Sequence, residues 1–232
     1  MSDIKPAADT FTPALGQHWL TPLYDVAIRT LTRESVWRRA LANQVDPRDG
    51  DGILDVGCGT GTFLTLLANR APKAHLVGID PDPEVLARAR LKAAKAGASI
   101  EFVQGFLLED VVTRLGPLTK VVSSLVLHQV PLAEKLRILS LMRRALADGG
   151  EAHIADYGAQ TTPLMRWLFQ RTVQRLDGSE NTQPNADGVL PDLMREAGFR
   201  QVEERAKIPT PTGSISIYWC AGSDLRAPRT KP

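Results

Sequence analysis

Three glycines at alternate positions, Gly57, Gly59 and Gly61, follow the run Ile53-Leu54-Asp55-Val56. Glycine at these places strips every Cβ from one face of a turn, so a ligand can press against backbone N–H groups. A dinucleotide fingerprint would need its third glycine where Thr62 stands, which weakens a phosphate-cradling reading. A second apolar run, Ala74-His75-Leu76-Val77-Gly78-Ile79, ends on Asp80. That is about the separation at which an open α/β sheet brings a carboxylate to a ribose diol, one acceptor for each hydroxyl. The alternative for Asp80 is a plain cap of the helix opening at Pro83, a task for which Asp82 is the better placed residue.

The elements that must hold these residues follow from periodicity. From Gly52 onward the chain alternates strand and helix with short connections, the pattern of a parallel doubly wound α/β sheet. Strands are expected near 52–57, 75–80, 99–104, 120–126 and 151–156, with helices near 60–71, 83–97, 107–114 and 132–147. The helix from Pro83 turns Val85, Leu86, Ala89 and Ala93 to the sheet and Arg88, Lys92 and Lys95 outward. After Asp156 come helices around 163–176 and 189–197, then extended runs at 201–208 and 215–221 that read as a terminal antiparallel pair. Ahead of the sheet, apolar steps of three and four predict a helical stripe over 15–31, restarted at Pro22, and a second helix over about 33–45. That second helix sets Val36, Trp37, Ala40 and Leu41 on one side and Arg33, Arg38 and Arg39 on the other.

Composition bounds the rest. A chain of 232 residues, 43% hydrophobic, suffices for one α/β domain with a full core. The expected organisation is a flexible N-terminus (1–13), N-terminal helices (14–46), the sheet domain (47–222) and a flexible C-terminus (223–232). A net charge of +2, from 28 basic and 26 acidic residues, offers no field for nucleic acid or an anionic membrane. The first dozen residues lack a signal-peptide core and no apolar run reaches the ~20 residues of a membrane span, so a cytoplasmic protein is expected. Two cysteines, Cys58 and Cys220, make neither a disulfide framework nor a metal cluster, and no metal is expected.

Taken together, Leu54-Asp55-Val56-Gly57-Cys58-Gly59-Thr60-Gly61, Gly78-Ile79-Asp80-Pro81-Asp82-Pro83, Ser123-Ser124-Leu125-Val126-Leu127-His128 and Leu146-Ala147-Asp148-Gly149-Gly150 resemble the class I S-adenosylmethionine-dependent methyltransferases. The likeness is to the branch holding ubiquinone/menaquinone-type and small-molecule enzymes, and it covers roughly residues 45 to 160. It implies a seven-stranded, mostly parallel Rossmann-like sheet, the last strand inserted beside the fifth, with N-terminal helices lidding the site. It implies S-adenosylmethionine as methyl donor, S-adenosylhomocysteine as product and a small molecule as acceptor; the oligomeric state stays open, a homodimer being one option.

Residue by residue, the resemblance places the donor against Gly57, Gly59, Gly61, Asp80 and Pro81. Asp55 would orient the loop or reach the donor's ammonium through water. Ser123 would lie under the donor's methyl and methionine ends. Gly105-Phe106-Leu107 stands where many relatives carry Gly-Asp-Ala, so the acid that reads adenine is missing and Phe106 offers a stacking face or a mere core contact. His128 is the titratable group best placed to take a proton from the acceptor, or else packs beside the donor without acid–base work. Asp156 and Tyr157 would hold the acceptor or shape the turn at Gly158. Tyr24 would touch the donor, and His18 and Trp19 would form an aromatic lid over the acceptor, with simple packing as the alternative for the aromatics.

Other readings compete. No Pro-Pro pair follows the fourth strand, as nucleic-acid N-methyltransferases would need, and Ser124 to Gln129 lacks the two glutamates of protein arginine methyltransferases. A nicotinamide-dependent reductase lacks support, because Ile28, Thr161 and Gly222 stand where Tyr24, Tyr157 and Tyr218 would need a lysine four residues on. A non-catalytic donor-binding partner or regulatory protein remains the alternative from a different class.

Overall fold

The computed structural model describes residues 32–222, and the expected helix over 15–31, with His18, Trp19 and Tyr24, lies outside them. The elements are α1 (Glu34–Val45), β1 (Gly52–Val56), α2 (Thr62–Arg70), β2 (His75–Asp80), α3 (Pro83–Lys95), β3 (Glu101–Gln104), α4 (Glu109–Leu115) and β4 (Leu118–Ser124). There follow α5 (Leu132–Ala145), β5 (Leu146–Tyr157), α6 (Pro163–Arg171), α7 (Val173–Asp177), α8 (Ser179–Asp187), α9 (Leu190–Glu196), β6 (Gln201–Thr210) and β7 (Gly213–Ala221). The seven strands form one sheet in the order β3-β2-β1-β4-β5-β7-β6. Strands β1 to β5 pair in parallel, and β7 enters antiparallel beside β5, Glu151 opposite Ala221 and Tyr157 opposite Ile215. The expected sheet and the expected place of the last strand are both observed.

Period-two alternation sorts the core into two layers. Leu54, Val56, Val77 and Ile79 pack with Ile138, Leu139 and Met142 of α5 and Leu193 and Met194 of α9. On the opposite face Ile53, Leu76, Val122, Ala155 and Ile217 meet Trp37 and Leu41 of α1, Phe63 and Leu64 of α2 and Phe169 of α6. Each of the buried Val, Leu, Ile, Met and Phe side chains contributes about 1.5–3 kcal/mol by leaving water. The strand ends therefore stay fixed while the loops after them carry ligand chemistry.

Three local expectations differ from the structure. In α1 the buried stripe is Trp37, Leu41, Ala42 and Val45, whereas Val36 is exposed and Arg38 is largely covered. The spacing i, i+4, i+5, i+8 from Trp37 explains this, because it rotates the face one position past Val36. Lys92 does not point out from α3: its Nζ reaches Thr60 Oγ1 at 2.8 Å and also Thr62 Oγ1, clamping the glycine turn. Helix α8 has no apolar stripe and holds Pro184 inside it, so no periodicity announces it. Its hold is polar instead: Asn185 Nδ2 donates to Tyr157 O at 3.0 Å and Asn181 Nδ2 to Gln129 O at 3.0 Å.

Candidate functional site

The glycine turn hangs on the end of β2. Gly57 N and Cys58 N both donate to Ile79 O, at 2.9 and 3.1 Å. Gly59 N donates to Asp80 Oδ2 at 2.9 Å, and Asp82 N donates to Asp80 Oδ1 at 3.0 Å. Asp80 thus ties two loops together with one lone-pair site used on each oxygen, while its side chain remains partly exposed beside the half-exposed Pro81. Burial raises its pKa and the two backbone donors oppose the rise. The cap of α3 is Asp82, whose Oδ1 accepts from Glu84 N at 2.9 Å and Val85 N at 3.2 Å.

Two glycines of the turn differ in what they make room for. Gly57 has φ 72°, and a Cβ there would stand 2.3 Å from Val126 Cγ2, so its bareness serves the protein's own packing. Gly59 has φ 53°, and a Cβ there would meet no atom of the described residues within 4 Å. Its open side faces the space in which a ligand can approach the backbone.

Asp55 sits inside β1, 1% exposed, and neither carboxylate oxygen has a hydrogen-bond partner among the described residues. Alternation puts it on the face of Ile53, beneath α1 and α2. Burial pushes its pKa to about 7; the Arg38 guanidinium pulls the other way and the Asp80 carboxylate adds to the rise. A buried carboxylate without donors is costly unless a cation or proton meets it. The arrangement suits a ligand bearing an ammonium at Asp55 and hydroxyls at Asp80.

The exit of β4 is held on every side. Ser123 Oγ donates to Val56 O at 2.9 Å, joining β4 to β1. Leu125 adopts φ 56°, a left-handed conformation that costs a non-glycine residue about 1 kcal/mol, and its N–H donates to Ala155 O at 2.9 Å. Asp156 Oδ2 accepts from Val126 N at 3.1 Å and Leu127 N at 2.8 Å, and its Oδ1 accepts from His128 Nδ1 and Tyr157 N, both at 2.8 Å. The buried Lys135 Nζ donates to the carbonyls of Leu127, Val130 and Asn181. Burial lowers its pKa to about 8, against the opposing charge of Asp156.

His128 is 3% exposed, between Asp156 on Nδ1 and Asp177 Oδ2 of α7, 3.5 Å from Nε2. Burial disfavours its charge, but the two carboxylates outweigh that and raise its pKa to about 9. At neutral pH it holds a proton and both ring nitrogens face acids. Tyr157 is buried too, edge-on to His128, with its hydroxyl 2.8 Å from Thr212 Oγ1. Gly105 N donates to Asp80 O at 3.0 Å, and beyond it Phe106 is 48% exposed while Leu107 is buried. The structure therefore gathers Asp55, Gly57, Gly59, Gly61, Asp80, Gly105 and Ser123 at the ends of adjacent parallel strands. Asp156, Tyr157 and His128 form a buried network under the β4 exit.

Arg38, Lys92, Lys135 and Asp177 are parts of the site that sequence reasoning missed. Only the oddity of a lysine amid the apolar positions of α5 could have flagged Lys135. The others act across long sequence separations.

Residues 53–150 match a family described as a methyltransferase domain. An uncharacterized methyltransferase of Synechocystis sp. is 31% identical over 160 residues, 67% of this chain and 69% of that protein. The chain belongs to the class I S-adenosylmethionine-dependent methyltransferases. A demethylmenaquinone methyltransferase of Deinococcus radiodurans is 28% identical over 86% of this methyltransferase chain and 83% of its own length. Magnesium protoporphyrin IX methyltransferase of Synechocystis PCC 6803, solved with bound S-adenosylhomocysteine, shares the fold with a TM-score of 0.61 at 18% identity, over 90% of this chain and 91% of that one. The methyltransferase chain spans only 55% and 58% of two longer solved chains with TM-scores of 0.64 and 0.65.

The cofactor of this methyltransferase family is S-adenosylmethionine, and the residues present fit it on two observations among the described residues: the Asp55 carboxylate without a donor and the unobstructed side of Gly59. No group of three His, Cys, Asp or Glu among the described residues is placed to hold a metal ion. No helix among them is long and apolar enough to cross a membrane.

Proposed function

We propose that this methyltransferase transfers a methyl group from S-adenosylmethionine to an O, N or C atom of a small-molecule acceptor. The observation that carries the reading is Asp55, a buried carboxylate with no hydrogen-bond donor among the described residues, beside a glycine turn open at Gly59. When bound, the donor supplies an electrophilic methyl on a sulfonium, so the chain need only bind and align the partners for in-line displacement.

Asp55 accepts the ammonium and Asp80 the ribose hydroxyls, for which its oxygens keep lone pairs. Phe106 offers its exposed ring to adenine in place of an acid. Ser123, Leu125 and the segment to Gln129 form the floor beneath the reacting end. His128 serves as a positioning cation rather than as the acceptor's base, because it already holds a proton between Asp156 and Asp177. Asp156 and Tyr157 support that floor from below, and His18, Trp19 and Tyr24 remain proposed lid contacts.

The test is transfer of isotope-labelled methyl from S-adenosylmethionine to a panel of phenols, quinols and amines. Labelled product with release of S-adenosylhomocysteine is expected. Donor binding without transfer to any acceptor would instead favour a binding or regulatory protein.

A further inference from the structure

The segment from Gln174 to Gly188 is held to the body of the protein by different means from the elements around it. At its two ends Val173 and Leu190 are buried in the core, but between them Ala186 is the one apolar side chain that is buried, and Leu176 is 64% exposed. Helices α7 and α8 fold back on each other around Gly178, at φ 80°, and Gln174 Nε2 donates to Gln183 Oε1 at 2.8 Å, so the two form one piece. Gly188, at φ 92°, ends the piece just before Leu190. What holds it down is polar. Asp177 Oδ2 lies 3.5 Å from His128 Nε2, and Lys135 Nζ donates to Asn181 O at 2.8 Å. Asn181 Nδ2 donates to Gln129 O and Asn185 Nδ2 to Tyr157 O, both at 3.0 Å, and Gln160 N donates to Ala186 O at 2.9 Å. The Arg166–Asp187 pair, at 3.4 Å, is exposed and adds little. Against these contacts, Asn185 Oδ1 is buried without a donor among the described residues, a cost carried by the docked arrangement.

Neutral hydrogen bonds are exchanged for water at a net cost of about 0.5–1.5 kcal/mol each, so a segment with few buried apolar contacts can open without the rest of the fold. The charged contact that lies inside is His128 with Asp177, and its two sides belong to different bodies. Nδ1 stays with Asp156 of β5 at 2.8 Å, while Nε2 faces the segment.

We propose that residues 174–188 are a hinged flap on the β4 exit and that the His128–Asp177 ion pair is its latch. Asp177 is then a positioning residue that acts through His128. Its release leaves the imidazolium paired with Asp156, so opening strands no charge. Val173 and Leu190 mark where the motion stops, because both are anchored in the core. The flap lies against Gln129 and Tyr157; on the reading of the β4 exit as the acceptor's floor, which is the function proposed above, it gates the acceptor side while the donor loops after β1 and β2 stay fixed.

The experiment is amide hydrogen exchange of the full chain at neutral pH, wild type against Asp177→Asn and Asp177→Glu, with no ligand added. In wild type the helical amides of 179–187 should exchange roughly tenfold or more faster than those of β1 and β4. Asp177→Asn should quicken exchange in the flap by about tenfold again, the scale of losing a hydrogen bond between charged groups, and leave β1 and β4 unchanged. Asp177→Glu keeps the charge and should exchange more slowly there than Asp177→Asn. A flap as slow as β4 in wild type, no change in Asp177→Asn, the same rate in both variants, or a quickening shared by the strands would each overturn the latch. Because neither donor nor acceptor is present, such a failure leaves the methyl-transfer reading standing, and that reading falls only in the labelled-methyl experiment.

Discussion

Asp156 and His128 meet through Oδ1 and Nδ1 at 2.8 Å in the interior, and the same carboxylate holds the backbone N–H groups of Val126 and Leu127. One side chain therefore fixes both the imidazolium and the turn that leaves β4. The coupling makes His128 part of the floor's architecture and links its protonation to the stability of the fold.

His128 gains a proton on folding, since its pKa rises from an ordinary 6.5 to about 9. A raised base stabilises fully below the unfolded value and loses that contribution as pH climbs through the folded one. Wild type should therefore lose on the order of 1–3 kcal/mol between pH 6.5 and 9 that His128→Gln does not lose. Chemical denaturation of both proteins across that range is the check; parallel curves would count against the buried imidazolium.

Asp55 also loses stability as pH rises, though here the raised pKa marks a group whose burial costs the ligand-free fold. Its pKa is raised to about 7, so the ligand-free fold loses stability as pH rises from the ordinary carboxylate range through neutrality. Asp55→Asn should raise the melting temperature of the ligand-free protein at pH 8, by the equivalent of about 1–3 kcal/mol, and blunt the stabilisation given by S-adenosylhomocysteine. A variant that melts lower, yet gains as much from ligand as wild type does, would remove Asp55 from the donor site.

The two glycines separate packing from binding. Gly57→Ala forces a Cβ to 2.3 Å from Val126 Cγ2 and should lower thermal stability. Gly59→Val meets no atom of the described residues within 4 Å of its Cβ and should abolish donor affinity, while its left-handed backbone lowers stability by roughly 2 kcal/mol without a packing clash. Melting and titration of the two variants tell these outcomes apart.

Much of this was legible in the sequence for physical reasons. Apolar runs ending at Val56 and Asp80 had to be strands, and Asp82 before Pro83 had to cap. The capped helix, the parallel strands and β7 beside β5 are all found. Less legible were contacts whose meaning lies in another element. Arg38 reads as one more outward arginine until α1 is laid over Asp55. Lys92 reads as solvent charge until Thr60 and Thr62 come beneath it. Helix α8 carries no stripe because carbonyl and amide partners hold it. The proposed acceptor contacts were least legible, since the helices after Tyr157 obey no shared spacing and residues 1–31 lie outside the described residues.

Lys135 illustrates how much rests on such a contact. Its ammonium serves three carbonyls, of Leu127, Val130 and Asn181, and so binds the β4 exit to α8. Lys135→Met should cost roughly 1–3 kcal/mol and reduce turnover more than donor affinity. Equal loss of both would mean that the floor and the donor site are one unit.

Asp80 bears most directly on where the donor lies. Replacing it with alanine should weaken S-adenosylmethionine binding by about 1–3 kcal/mol, the scale of losing a charged hydrogen-bond acceptor. Unchanged affinity would detach the ribose from β2.

The measurement that reaches the central claim most directly is calorimetric titration of the purified protein with S-adenosylmethionine, S-adenosylhomocysteine and NADH in parallel. Binding of both sulfur nucleosides with a Kd on the order of micromolar, and no heat from NADH, is the expected result. Binding of NADH, or of none of the three, would contradict the account and leave the buried Asp55 beside Gly57 without a ligand to explain it.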